Sequence, residues 1–209
     1  MNKVSGILIG FPFWFIKTRC TCASTIVSSP FVMNWFIKKD VFVIDLTKDL
    51  ILSSSSKWAD FLYSILQDLD GGYIIAGVSR SSGDPNGNGF LMKTDTDGNK
   101  IWSKSYGGNS AEIIYDVNFT SDGGFILTGH TNSYGNGAND AYLIKVNSNG
   151  ETEWSQTFGA SGTDYGRSGS QTVDGGYLIT GYSDSFGDGG FDAWWIKVDH
   201  NGNLERDKT

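Results

Sequence analysis

The sequence predicts an all-β fold, and three observations support that prediction. Glycine contributes 28 of the 209 residues, while aromatic residues make up 14% and charged residues only 19%, a composition typical of aromatic strands joined by tight turns. A glycine motif recurs at a constant spacing, with short apolar runs between its copies. No stretch has the three-and-four apolar spacing of an amphipathic helix. The chain is long enough to bury a core without disulfides or metals.

The recurring motif is strictly periodic. It reads DGGYIIAG from Asp70, DGGFILTG from Asp122 and DGGYLITG from Asp174, an offset of 52 residues both times without a gap. Eight columns are identical in the three copies, namely Asp70/Asp122/Asp174 with the two glycines after each, Gly77/Gly129/Gly181, Ser81/Ser133/Ser185, Gly83/Gly135/Gly187, Lys93/Lys145/Lys197 and Gly98/Gly150/Gly202. Agreement at so many positions indicates internal repetition.

Each copy contains four strand candidates separated by turn residues, which in the middle copy are IIYDVNFT, GGFILTGHT, AYLIKV and TEWSQTF. The first alternates polar residues with the apolar set Ile113, Tyr115, Val117 and Phe119. This period of two predicts a strand with one buried face. The third contains the continuous apolar run YLI at 142–144, which predicts a strand covered on both faces.

The links between the third and fourth strands also have a sequence signature. They read TDGN at 96–99, NSNG at 147–150 and DHNG at 199–202. Asn and Asp bond the local backbone and Gly accepts a positive φ, so these segments predict hairpin turns.

Four antiparallel strands in a tandem repeat of about fifty residues are typical of a β-propeller blade. The sequence therefore predicts a partial β-propeller with blades at about 60–107, 112–159 and 164–209. Because a ring needs at least about four blades, three explanations stay open. The chain is a fragment of a longer product, it pairs with a second copy, or its N-terminal part supplies a degenerate blade. The segment DVFVIDLTKDLIL at 40–52 does echo the hairpin AYLIKVNSNGETEW.

The motif W-S-x-x-x-G-G, seen as WSKSYGG at 102–108 and WSQTFGA at 154–160, precedes an acidic residue and then DGG-aromatic-aliphatic-aliphatic-x-G. In this pattern residues 58–209 resemble the bacterial and archaeal seven-bladed β-propeller repeat family. That resemblance implies a secreted or cell-surface binding protein without common catalytic residues. The copies depart from the pattern at Arg206, where a tryptophan is expected. Kelch repeats are the second resemblance, although their glycine pair ends a strand and here it opens one.

Residues 1–57 form a separate segment by composition. Residues 1–59 hold 7 Lys and Arg against 3 Asp and Glu with only 2 Gly, whereas residues 60–209 hold 9 against 20 with 26 Gly. The apolar stretch at 4–16 and the block at 31–37 are both too short to span a membrane. A signal peptide, a degenerate blade and a misassigned start remain the three interpretations of this segment.

Charge and cysteine content restrict the possible partners. A net charge of −7 opposes binding to phosphate backbones, so nucleic acid is not an expected partner. Cys20 and Cys22 lie one residue apart, which matches neither a zinc site nor a redox motif. No cofactor is expected apart from calcium.

Calcium is considered because the loops between second and third strands are rich in oxygen side chains. The candidate ligands are Asp184, Asp188 and Asp192, and in the middle copy Asn136, Asn139 and Asp140. Hard cations take six to eight such oxygens, but no loop matches the calcium-binding pattern with its distal Glu. Glycine turns with Asx bonds to their own backbone are the favoured interpretation.

Other repeated residues are assigned to the fold. Asp70, Asp122 and Asp174 are expected to accept backbone N–H groups in the turn that opens a strand, and the repeated lysines to reach a carboxylate. Trp102 and Trp154 are expected to anchor blade packing. The adjacent Trp194 and Trp195 point to opposite faces of their strand and are the best candidates for a binding surface, although core packing is the favoured interpretation.

Two functional hypotheses follow. The first is a non-catalytic extracellular or cell-surface binding or scaffold module for a protein or glycan partner. The second is a propeller-type carbohydrate-active enzyme, sialidase-like or lyase-like, with carboxylates such as Asp116 gathered at a central channel. No catalytic residues can be assigned, because His130 and His200 occupy unrelated repeat positions.

Overall fold

The computed structural model describes residues 60–80 and 86–209 in full and, as backbone only, two strands near the N-terminus. The strands are β1 (Met33–Ile37), β2 (Asp40–Ile44), β3 (Phe61–Gln67), β4 (Tyr73–Ser79), β5 (Asn88–Thr94), β6 (Lys100–Tyr106), β7 (Glu112–Phe119), β8 (Phe125–Thr131), β9 (Asp140–Val146), β10 (Thr152–Phe158), β11 (Asp164–Gln171), β12 (Tyr177–Ser183), β13 (Asp192–Val198) and β14 (Leu204–Lys208). In this part of the chain there is no helix long and apolar enough to cross a membrane.

The repeats form three four-stranded antiparallel sheets. Sheet I is β3-β4-β5-β6, sheet II is β7-β8-β9-β10 and sheet III is β11-β12-β13-β14. The predicted all-β fold with four strands per copy is therefore confirmed. The first strand of each sheet lies next to that of its neighbour, since β7 contacts β3 and β11.

Only the first part of the N-terminal echo of a blade hairpin lies among the described residues. Strand β2 covers Asp40–Ile44, within the segment that echoes a third strand, but its partner is the upstream strand β1. The downstream part of the echo and the turn expected at Lys48 and Asp49 lie outside the described residues, as does the apolar stretch at 4–16.

The hairpin turns match their prediction. In the middle copy Gly150 has φ +74°, and the Asn147 side chain accepts the N–H groups of Asn149 at 2.9 Å and Glu151 at 3.0 Å. Asp95 and Asp199 accept the equivalent N–H groups in the other two copies. One turn geometry is thus used in all three sheets.

The core consists of successive sheet-to-sheet interfaces. Between sheets I and II it includes Ile74, Leu91, Ile114, Leu127 and Ile144, all fully buried. Between sheets II and III the corresponding cluster is Ile126, Ala141, Leu143, Tyr177, Ile179, Trp194, Ile196 and Val198. Strand β9 is buried along its whole length, because both of its faces meet a neighbouring sheet, as its apolar run predicted.

The simple alternation predicted for the first strand is wrong. Strand β7 contains a β-bulge between Ile114 and Asp116. The extra residue shifts the side-chain pattern by one position, so Ile114 and Val117 both pack into the core and Asp116 is buried as well. Phe119, predicted on the buried face, is 39% exposed.

Sheet III leaves one face uncovered within the described residues. On sheet II this face carries Ile126, Thr128, His130, Ala141 and Leu143, all of which are buried against sheet III. One period later the same positions are Leu178, Thr180, Tyr182, Ala193 and Trp195, and none of these is buried. We call this set the terminal face.

Candidate functional site

The first strands of the three sheets share a β-bulge at the same repeat position. The register shifts fall between Leu62 and Ser64, between Ile114 and Asp116, and between Gly166 and Ser168. The extra residues are therefore Tyr63, Tyr115 and Arg167, each one period after the last. A bulge turns a side chain away from the regular pattern of the strand, and here it does so in three adjacent strands.

The three bulge residues are in contact with one another. The rings of Tyr63 and Tyr115 meet edge to face with centroids 5.2 Å apart. The guanidinium of Arg167 lies 4.0 Å from the centroid of Tyr115, which is well within the range of a cation–π interaction. A continuous row thus runs from sheet I to sheet III.

The row continues onto sheet III. Arg167 lies 5.3 Å from the ring centroid of Tyr165 and 5.1 Å from that of Tyr182, and its Nη2 donates a hydrogen bond to the Tyr182 hydroxyl. Tyr182 in turn contacts Phe191 at 5.2 Å, and Phe191 is 59% exposed. We define the inner aromatic surface as Tyr63, Tyr115, Tyr165, Arg167, Tyr182 and Phe191.

Burial changes the acidity of these groups. It raises the pKa of Tyr115 to about 12, although Arg167 opposes this rise. Burial also raises the pKa of Tyr63, against the opposing charges of Arg80 and Arg167. The hydroxyls of Tyr63 and Tyr115 therefore stay protonated at neutral pH and can donate hydrogen bonds.

His130 lies beneath the surface. Its ring is 5.5 Å from that of Tyr115 and 4.7 Å from that of Tyr165. Only 6% of the residue is exposed, and its Nδ1 has no hydrogen-bond partner among the described residues. Burial, reinforced by Arg167, lowers the pKa of His130 to about 4, so the imidazole is neutral near pH 7.

Asp116 joins the three first strands beside the bulges. Its Oδ1 accepts a hydrogen bond from Ser64 Oγ at 3.2 Å. Its Oδ2 accepts bonds from Ser168 Oγ at 2.8 Å and from Asn118 Nδ2 at 3.0 Å. Ser64, Asp116 and Ser168 occupy the same repeat position, so a single column ties sheets I, II and III together. Asp116, the carboxylate considered for catalysis, is therefore engaged in hydrogen bonds that join the sheets.

A second column of acids fixes the loops. Glu112 is fully buried and accepts hydrogen bonds from Thr131 Oγ1 at 2.7 Å and from the Gly108 N–H at 2.9 Å. One period later Asp164 is also fully buried and accepts bonds from the Ser183 and Ser185 hydroxyls. The acidic residue that precedes each repeat motif in sequence thus anchors the loop that follows the second strand.

The tryptophan candidates do not form a joint surface. Trp194 is only 4% exposed, packs against Phe186 at 5.3 Å and donates its indole N–H to Asp207 at 3.0 Å. It therefore belongs to the interface between sheets II and III. Trp195, on the opposite side of β13, is half-buried on the terminal face. Trp154 packs against Tyr177 with centroids 5.5 Å apart, and Trp102 packs on the first interface, as expected of packing anchors.

The calcium candidates are not brought together. Asp192 accepts the N–H of Asp188 at 3.2 Å, and Asp184 accepts the N–H of Thr163. The middle-copy candidate Asp140 accepts the N–H of Gly137 at 3.0 Å. Within residues 60–80 and 86–209, no three His, Cys, Asp or Glu side chains are close enough to hold a metal ion. Asp192 and Asp140 thus bond the backbone of their own glycine-rich turns, whereas Asp184 bonds the backbone of the loop before β11.

The repeated aspartates and lysines form ion pairs. Asp122 accepts the N–H of Gly124 at 3.0 Å and lies 2.8 Å from Lys145 Nζ. Lys145 is 2% exposed and also contacts Glu153 at 2.8 Å. The same pairs recur as Lys93 with Asp70 and as Lys197 with Asp174. Their roles are structural, which the repetition predicted.

Comparisons with known proteins add little to this description. No protein-family model matches the chain, and no curated protein matches its sequence. Among solved structures, the chain is similar to a protein of unknown function from Bacteroides caccae, with 9% identity and a TM-score of 0.45. The match covers 73% of this chain and 47% of that protein, so this chain spans about half of its length.

Sequence reasoning missed the inner aromatic surface. The three bulge residues, which we call the bulge column, are Tyr63, Tyr115 and Arg167, so the repeat does not show one conserved residue type there. A bulge also leaves no trace in a pattern of alternating polar and apolar residues. One signal was present. Gly77, Gly129 and Gly181 face the bulges and are identical in all copies, and an invariant glycine within a strand indicates a bulge or a close backbone approach.

Proposed function

We propose that this chain is a non-catalytic binding module, built from β-propeller repeats, that holds a protein or glycan partner at the inner aromatic surface. The observation that carries the proposal is the contact row Tyr63, Tyr115 and Arg167, three residues that equivalent bulges place side by side. Tyrosine and arginine are enriched among the residues that dominate binding energy. Phe191 extends the row with an exposed apolar ring. A location outside the cell remains part of the prediction.

The enzyme hypothesis has less support. Asp116, Glu112 and Asp164 are the buried carboxylates nearest the first strands, and each accepts several hydrogen bonds from its own fold. A general acid or nucleophile must instead reach a substrate. We therefore favour binding over catalysis.

A binding test should separate this surface from other exposed tyrosines. The full chain would be labelled and applied to arrayed oligosaccharides and arrayed peptides, together with variants Tyr115→Ala and Tyr134→Ala. Tyr134 is a matched control, because it is exposed and its ring contacts Tyr142 on the outer part of sheet II. Ligands retained by the chain should be lost with Tyr115→Ala and kept with Tyr134→Ala. Equal retention by both variants would reject the proposed surface.

The β-propeller architecture is supported by the terminal face. Its positions match a face of sheet II that sheet III covers completely, and it leaves Leu178, Ala193 and Trp195 at least partly exposed. Exposed apolar patches of this kind indicate a missing partner. We propose that a further four-stranded repeat covers this face, supplied by a longer product, by a second copy or by the N-terminal segment. Tyr182, the counterpart of the buried His130, would then be covered, and the inner aromatic surface would present its other members.

The architecture can be tested by extending the repeat. A copy of residues 158–209 joined directly after Thr209 continues the 52-residue register. In a repeat array each added unit contributes a new interface, so the thermal midpoint should rise. The same extension in a Trp195→Glu background should raise it much less. An extended chain whose midpoint is unchanged would count against a propeller-type continuation.

A further inference from the structure

We propose that the inner aromatic surface recognises an acidic peptide segment, with a peptide carboxylate held by Arg167, an apolar side chain seated beside Phe191, and the charge of Arg80 adding to the attraction. The inference rests on the proposed binding function and specifies the chemistry of its partner. It depends on the positive charges at this surface and on the way its rings are arranged.

The first argument concerns cations. Lys93, Lys104, Lys145 and Lys197 each lie within ion-pair distance of a carboxylate. In contrast, Arg167 contacts three tyrosine rings and a tyrosine hydroxyl, and no carboxylate of the described residues lies within ion-pair distance of it. Guanidinium groups present a planar fork of donors suited to carboxylates. The single bond to the Tyr182 hydroxyl leaves most of that fork for a ligand.

A second arginine is close to the same surface. Arg80 lies 5.8 Å from the ring centroid of Phe61, and its charge acts on the Tyr63 hydroxyl together with that of Arg167. Apart from Arg80 and Arg167, residues 60–209 contain only one arginine, Arg206 on the outer strand β14. The charges of two of these three arginines therefore act on Tyr63, while one acid, Asp184, acts on Tyr165 at the other end of the surface. Positive charge of this kind attracts an anionic partner.

The ring geometry favours a peptide over a sugar. A pyranose stacks on a free, flat ring face, but the face of Tyr115 is covered by Arg167. Tyr63 meets Tyr115 at 70°, and Tyr182 meets Phe191 at 84°. Rings in edge-to-face contact do not present the continuous flat platform on which a sugar stacks. Aromatic rings beside an arginine suit a side chain anchor with an adjacent acid, one of the recurring modes of peptide recognition.

The test uses short synthetic peptides and the full chain. Fluorescence anisotropy would compare a labelled peptide of alternating Glu and Phe with the same peptide carrying Gln in place of Glu. We expect the Glu peptide to bind about tenfold more tightly, since close charge pairs across an interface can contribute at least one factor of ten to affinity. Affinity should fall with rising salt, because exposed charges are screened.

Variants locate the site. Arg167→Gln and Arg80→Gln should each weaken binding of the Glu peptide by about tenfold, whereas Arg206→Gln should leave it unchanged. Arg167→Lys keeps the charge without the planar fork and should fall between Arg167→Gln and the unaltered chain. A thermal melt of each variant confirms folding. If Arg167→Gln has a lower thermal midpoint than the unaltered chain, the affinities of Arg80→Gln and Arg167→Lys for the Glu peptide test the assignment instead.

The outcomes separate this inference from the proposed function. Equal affinity for the Glu and Gln peptides, or no loss in either arginine substitution to Gln, would overturn the acidic-peptide assignment. Binding of polygalacturonate that depends on Arg167, without binding of the Glu peptide, would also overturn it but leave the binding function intact. Array binding that is the same with and without the Tyr115 ring would instead reject the proposed function itself.

Discussion

Gly129 occupies a position where a single methyl group should destabilise the fold strongly. It pairs with Ile114 directly beside the bulge of β7. A Cβ at this position would lie 1.8 Å from the carbonyl oxygen of Ile113, whereas real Cβ atoms essentially never come within 3.0 Å of another atom. The obstacle is backbone, so no side chain rotation can relieve it. Gly129→Ala should therefore force β7 and β8 apart at the bulge.

The expected cost follows from two contributions. Overpacking a tight site costs about 1–3 kcal/mol. Separating the strands also weakens neighbouring ladder hydrogen bonds, each worth about 1 kcal/mol. A total loss of about 3 kcal/mol corresponds to a fall in thermal midpoint of roughly 10 °C for a chain of this size.

The assay is thermal and urea unfolding followed by circular dichroism at the β-sheet band. Gly189→Ala is the matched control, because Gly189 has φ +105° but no atom within 4 Å of the place where a Cβ would lie. This control incurs only the left-handed strain of about 1 kcal/mol. A Gly129→Ala protein that melts within about 2 °C of the Gly189→Ala protein would refute the argument from backbone proximity.

Three further predictions address polar groups that the fold holds in hydrogen bonds, ion pairs or the core. Asp116→Ala removes the acceptor shared by three strands and should lower the free energy of unfolding by about 3 kcal/mol, while Asp97→Ala, on an exposed turn, should change it by less than about 0.5 kcal/mol in urea titrations. The pKa of His130 falls from 6.5 to about 4 on folding, so the unfolded chain binds the proton more tightly than the folded one. The neutral imidazole therefore contributes to the free energy of unfolding above pH 6.5, and this contribution is lost as pH falls toward 4. His130→Phe should flatten stability in that window and the exposed-site control His200→Gln should not; unchanged slopes in melts at stepped pH would contradict this. For Asp122, burial raises the pKa, but hydrogen bonds from Lys145 and Thr120 outweigh it and lower the pKa from 3.8 to about 2. The free energy of unfolding should therefore decline as pH falls through that range, and Asp122→Asn should reduce the decline. Equal acid transitions in both proteins would argue against the ion pair.

Much of the fold could be predicted because the repeat makes each local signal appear three times. Turn chemistry at Gly150, the apolar run of β9 and the ion pairing of Lys145 were all readable from residue type and spacing. The true side-chain pattern of β7 could not be predicted in this way. The bulge adds one residue and exchanges the faces of the strand, and nothing in a two-residue period reveals where that exchange occurs.

The candidate site was harder to predict, since it depends on proximity across sheets. Tyr115 and Arg167 are 52 positions apart in sequence yet stack at 4.0 Å. Trp194 was a sequence candidate because of its size, but its indole fills the interface between sheets II and III. Large aromatic residues in a strand serve both packing and binding, and only the neighbouring sheet decides which.

At the bulge, two neighbouring repeat positions differ in how much sequence variation they allow: the glycine column of Gly77, Gly129 and Gly181, and the bulge column facing it. At the glycine column the three copies are identical, because the facing carbonyl leaves no room for a side chain. At the bulge column they already differ, as Tyr63, Tyr115 and Arg167 show. The bulge column therefore accommodates different residue types where the glycine column does not. Tyr63 could be replaced by an acid, a base or a small residue to redirect recognition, making this column the natural place to engineer new specificity into the scaffold.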